Sequence, residues 1–261
     1  MKAAYANLEP HERIFCAWDR PSFTKEDKYA VEKLVPHVGG FKIGLEAMHM
    51  PIELGSSITV GHALRVHLQH FFPHLKIFWD IKGLDIENTM AGLAKSVSHL
   101  GVWGFTVHAS ARLESLKAAV RFAGKAQVIG VTVLTDTSDE ECFDTYNEKV
   151  EDTVPHFAER FARAGGHALV SSPHELQLMN VGERQKLLRI TPGVRLPGAS
   201  THDQKRVMTP GDAVAGGADF VVCGRDIFGS DDWVGNAERV AENIAAGQQA
   251  KARQYLAQRY I

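Results

Sequence analysis

Short apolar or β-branched runs alternate with longer segments of helical spacing along almost the whole chain. The runs fall at 13–18, 40–44, 76–82, 104–109, 127–134, 167–172, 188–192 and 219–224. Most are too short for helices and give way to turn or helix-start residues, so they read as strands. Between them, helical spacing predicts helices over 25–35, 58–72, 88–100, 113–122 and 154–163, each with one face to bury. After the last run, 236–246 and a tail to residue 261 have helical composition.

Strands that alternate with helices imply parallel strands joined by crossovers. Eight such units in a chain of 261 residues is the arithmetic of an α/β protein of the (β/α)8 barrel type, with a doubly wound open sheet as the alternative. Nothing resembles a linker, so residues 1–261 are expected to form a single barrel domain with a short N-terminal extension and a C-terminal helical tail. The polar runs 143–152 and 195–209 are expected as loops after the fifth and seventh strands, on the face where such barrels place catalysis.

Composition narrows the class without naming a reaction. Hydrophobic residues at 44% and charged residues at 23% describe an ordinary globular protein. A formal net charge of -2 gives no bulk attraction to nucleic acid or membrane, so an anionic ligand needs local positive groups. Cys16, Cys142 and Cys223 form no CxxC, and two of them lie inside strand-like runs, consistent with a reducing cytoplasm. The first residues lack the apolar core of a signal peptide, and no apolar stretch approaches a membrane span.

A barrel concentrates functional polar residues at the C-terminal ends of its strands, and the chain fits that rule. The strand ends carry Asp19, Lys42, Asp80 with Lys82, Thr106 with His108, Arg195 after a Thr-Pro-Gly-Val turn, and Gly224-Arg225. The densest cluster is Asp80-Ile81-Lys82-Gly83-Leu84-Asp85, closing an apolar strand. If the strand stays extended, residues two apart share a face, so Asp80 and Lys82 project into one site. Charges this close titrate as a set, and they can manage a developing carbanion and its proton without a metal.

The Asp-x-Lys-x-x-Asp pattern, followed by Ile86 and by Asn88-Thr89, closely resembles the signature of the orotidine 5'-monophosphate decarboxylase family, bacterial type. The resemblance runs from about Arg13 to Phe228. It implies a carboxy-lyase of pyrimidine biosynthesis that converts orotidine 5'-monophosphate to UMP and carbon dioxide with no cofactor. On that resemblance Lys42, Asp80, Lys82 and Asp85 form the catalytic charged network, with Lys82 as proton donor, and Asp19 binds the ribose. Asp85 and Thr89 are implied to cross the interface of a homodimer. Gln204 spans phosphate and pyrimidine, and Arg195, Gly224 and Arg225 belong to the phosphate end.

Several positions keep a second reading. Asp19 could cap the helix starting near Thr24, and Lys42, costly in an apolar strand unless paired, could take its partner from Asp80 or Asp19. Thr135 could bond the pyrimidine amide or be an ordinary strand-end hydroxyl. His108 is expected as a hydrogen-bonded structural histidine, and His67, His70 and His74 are not expected to bind metal. Where the family usually has proline after Asp-Ile, this chain has Glu87; Gly83 and Leu84 also depart from its pattern, and Asp226 stands where proline is typical, adding negative charge near the phosphate site. The rival readings are a magnesium-dependent decarboxylase or aldolase of the same superfamily acting on a keto-sugar phosphate, and an inactive phosphate-binding barrel.

Overall fold

The computed structural model describes residues 2–198 and 208–259. Eight parallel strands close into a barrel in sequence order: β1 Ile14–Trp18, β2 Gly40–Ile43, β3 Lys76–Gly83, β4 Gly104–His108, β5 Gln127–Val131, β6 Ala168–Val170, β7 Leu188–Thr191 and β8 Phe220–Cys223. The register pairs β1 with both β2 and β8, which removes any free edge. The open-sheet alternative is therefore excluded. Several strands end a residue or more before the apolar run does, most visibly at β5, where Thr132 and Val133 stay buried beyond the last paired residue.

Alternation along the strands sorts side chains into two cores. Phe15 and Ala17 of β1, Phe78 of β3, Ile129 of β5, Leu188 and Ile190 of β7, and Phe220 and Val222 of β8 pack inside the barrel. Their neighbours Ile14, Cys16, Trp18, Phe41, Ile43, Ile77, Trp79, Phe105 and Val107 face the helices. The lower end of the barrel is plugged by rings: Tyr5 packs edge-on against Phe220 and Trp103, and the Trp103 indole N–H donates to the Tyr5 hydroxyl at 3.1 Å. The upper end stays open, so the next inward position on each strand is where a polar side chain finds room.

The helices form for local reasons and are held by burial. Thr59 caps the helix Val60–Phe71, accepting from His62 N at 3.2 Å, and Val60, Leu64 and Leu68 are fully buried at a four-residue spacing. Each such side chain contributes roughly 1.5–3 kcal/mol. Thr24 and Asp27 form a reciprocal capping box at the helix Lys25–Leu34, so the cap there is Thr24 and not Asp19. The expected loop 143–152 is mostly helical: Asp139–Tyr146 and Val150–Arg163 are helices joined through Asn147, whose φ of 58° ends the first. Ser138 and Glu141, upstream of that polar run, cap the first of these helices reciprocally. Among the described residues no helix is long and apolar enough to cross a membrane.

Candidate active site

The inward alternation that places Phe15, Ala17 and Phe78 in the barrel core carries on to its mouth. Lys42 follows the parity of β2 and points inward, between Phe41 and Ile43, which face out. Asp80 is the inward position after Phe78. Both are screened from water, with side chains 13% and 10% exposed. Lys42 lies 3.0 Å from Asp19 and 3.4 Å from Asp80, so both candidate partners are used.

Lys82 also reaches Asp80, at 2.8 Å, but regular alternation is not what puts it there. Lys82 has φ of 53°, and the β3–β4 register slips between Trp79 and Gly83. A left-handed non-glycine residue costs on the order of 1–3 kcal/mol. The bulge is held by Thr106 of β4, whose hydroxyl accepts from Lys82 N at 2.8 Å and donates to Asp80 at 2.9 Å. Gly83 completes the turn, since a Cβ there would run into Leu93 of the helix Glu87–Ser98. Thr106 thus acts at the site, a role that no local motif signals because it depends on the slipped register.

Asp80 is therefore the common counter-ion of two ammonium groups. Burial by itself would raise its proton affinity, but Lys42, Lys82 and the hydrogen bonds from Lys82 and Thr106 oppose this and hold the carboxyl below its ordinary value. Unit charges about 4 Å apart attract by roughly 4 kcal/mol at an effective dielectric of 20, and Asp80 has two such neighbours. His108, half-buried at the end of β4, is disfavoured as a cation chiefly by burial and then by Lys82, with Asp80 opposing. Among the described residues no hydrogen bond to its ring is found, so it stands beside the network rather than being pinned as a structural histidine.

These charges lie along one wall of a cavity of about 560 Å³ at the mouth of the barrel. Asp19, Lys42, Asp80, Lys82, Thr135, Arg195, Gly224 and Arg225 all line it. Phe78, Val131, Val133, Val170 and Val222 supply apolar surface between the charged wall and the turns after β7 and β8. Gly193, in the first of those turns, has φ of 76°, a conformation glycine adopts without strain. Arg20 also lines the cavity, its guanidinium lying over the rings of Trp18 and Trp233 and 3.4 Å from Asp27; sequence reasoning passed it over because its aromatic shelf is assembled from distant segments.

Two candidates are absent from this cavity. Asp85 and Thr89 are exposed and outside it, and among the described residues Asp85 accepts only a neighbouring bond, from Ile86 N at 2.6 Å. Within one chain, Lys82 is held by Asp80 and not by Asp85, because the bulge turns the chain outward at Leu84. Gln204 lies outside the described residues.

The residues from 16 to 240 match the family described as Orotidine 5'-phosphate decarboxylase / HUMPS family. The chain belongs to that family. A relative from Anaeromyxobacter sp. (strain K), named orotidine 5'-phosphate decarboxylase, is 35% identical over 242 residues, covering 91% of this chain and 100% of the relative. One of the same name from Syntrophotalea carbinolica is 35% identical over 249 residues, covering 92% and 97%. The crystal structure of orotidine 5'-phosphate decarboxylase from Lactobacillus acidophilus superposes with a TM-score of 0.71 at 25% identity, covering 88% of this chain and 98% of that one. Family members thus share the closed barrel with this chain, and the ionic side chains above sit at its mouth.

Proposed function

We propose that the chain decarboxylates orotidine 5'-monophosphate to UMP and carbon dioxide, a step of pyrimidine biosynthesis, in a reducing cytoplasm and without metal or organic cofactor. The observation that carries this reading is the Lys42–Asp80–Lys82 array facing an apolar-walled cavity with two arginines at its far turns. A planar pyrimidine suits the apolar walls, and a phosphate dianion suits Arg195, Arg225 and the glycine turns. The relatives' names and the buried, unpaired cysteines are in keeping with it. Lys42 argues against the magnesium-dependent sister chemistry, because two ammonium groups already neutralise Asp80 and would repel a divalent cation.

In the reaction the bond between ring carbon C6 and the carboxylate breaks, and its electron pair stays on C6. The Lys82 ammonium stabilises that charge and passes its proton to C6. Asp80 keeps Lys82 aimed and charged, Lys42 keeps Asp80 ionised, and Asp19 is placed to bind the ribose hydroxyls. Charges fixed in advance do not reorganise during reaction, which is where most of their advantage lies. Thr135 at the cavity edge is assigned to the pyrimidine amide, Gln204 to the contact between pyrimidine and phosphate, and Gly224 with Arg225 to the phosphate.

The direct test is the ultraviolet change on converting the substrate to UMP, measured after exhaustive chelation. Turnover unaffected by chelator is expected; turnover restored only by magnesium would reject the cofactor-free reading.

We further propose a homodimer in which Asp85 and Thr89 complete the neighbour's site. In support, Leu84 and Ile86 flank Asp85 and are 58% and 61% exposed, apolar surface that a partner would cover. Mixing inactive Lys82→Ala and Asp85→Ala proteins under subunit exchange should regenerate one intact site in each hybrid dimer, about a quarter of all sites at equal mixing. A mixture as inactive as its components would rule out the shared site.

A further inference from the structure

Asp226 looked, as a sequence departure, like a negative charge misplaced beside a phosphate site. Its surroundings suggest otherwise. The side chain is only 2% exposed and sits 3.1 Å from Arg195. Its Oδ2 accepts from Arg195 Nη1 at 3.1 Å, and its Oδ1 accepts from Leu196 N at 3.2 Å. The same Arg195 nitrogen donates to Val194 O at 2.8 Å. Arg195 N donates to Met208 O at 3.0 Å, and Val194 and Met208 form a parallel bridge.

The guanidinium is therefore gripped while it lines the cavity, and so is the residue that follows it. A buried ion pair seldom adds net stability, because desolvation offsets its attraction. What it does supply is geometry: a long, rotamer-rich side chain is kept in one place before any ligand arrives. The carboxylate is matched by a cation, so it does not face the cavity as an uncompensated charge. We propose that Asp226 is a positioning residue that acts through Arg195, presetting the guanidinium for the anionic end of the substrate and mooring Leu196 where the chain leaves the barrel. The proposal rests on the decarboxylase reading given above.

The full-length wild type is compared with Asp226→Ala, Asp226→Asn, Arg195→Ala and the Arg195→Ala/Asp226→Ala double variant. The measurements are kcat and KM for orotidine 5'-monophosphate and the inhibition constant of inorganic phosphate. Asp226→Ala should raise KM and the phosphate constant together by roughly ten- to a hundredfold, as expected for a lost charged hydrogen bond, with kcat little changed. Asp226→Asn, which can still accept from Leu196 N, should fall between; it decides the matter if the alanine variant fails to fold. In the Arg195→Ala background, removing Asp226 should cost less than about twofold more, because coupled residues are not additive.

Tighter phosphate inhibition in Asp226→Ala would mean the carboxylate only repels, and would overturn the proposal. So would losses that multiply in the double variant, or a fall in kcat with KM and the phosphate constant unchanged. An active wild type with unaffected Asp226 variants would overturn this inference alone. A wild type inert toward orotidine 5'-monophosphate would overturn the decarboxylase reading, and this inference with it.

Discussion

Lys82→Ala should lower kcat by about four decades or more, since a positioned proton donor is worth 10²–10⁴ and a preorganised charge 10²–10³. Both roles fall on one ammonium, which lies 2.8 Å from Asp80 at the charged wall of the cavity. KM should change far less, because the apolar walls and the phosphate end remain. Single-turnover rates with saturating substrate separate the two quantities. A variant within tenfold of the wild-type rate would mean that the proton comes from elsewhere. His108, half-buried and held toward its neutral form, would be the next group to examine.

Asp80→Asn is expected to cost about two to three decades in kcat/KM, on the scale of a preorganised charge. The amide fits the space and can still accept from the Thr106 hydroxyl, now 2.9 Å from Oδ1. Its other end, however, would present a donor to Lys82 at 2.8 Å and leave Lys42, 3.4 Å away, with Asp19 alone. The loss is thus electrostatic rather than steric, and steady-state kinetics with a crystal structure of the variant would show whether shape is kept. Because the Asp80 carboxyl is held below its ordinary value, it stays ionised as pH falls toward the usual carboxylate range. A wild-type acid limb near neutrality therefore belongs to another group. An Asp80→Asn enzyme with unimpaired kcat/KM would remove Asp80 from the network.

The two variants probe parts of the site that were legible in the chain to different degrees. Asp19, Lys42 and Asp80 meet at the mouth because each continues the inward parity of a strand whose apolar residues declare its period. Lys82 was expected in the site through extended alternation, yet it arrives there through a left-handed residue and a slipped register. Asp85 was expected to act across a dimer interface, and the same bulge turns it to the surface, away from its own chain's cavity. Asp226 was expected to be adverse, and a partner 31 residues back in the chain reverses that reading. The 143–152 segment was read as a loop from its polar composition, but its first four residues close the helix Asp139–Tyr146 and its last three open the helix Val150–Arg163.

By itself, the order of apolar runs and helical segments pointed to a barrel rather than an open sheet, and the strand ends named most of the polar side chains at its mouth. Both follow from local periodicity, which a linear chain carries in full. Only the tertiary structure decided the Thr106 brace, the Arg20 shelf, the Arg195–Asp226 pair and the outward turn at Asp85. Each depends on distances between segments remote in sequence, set by barrel closure and register, and no pattern along one segment encodes them.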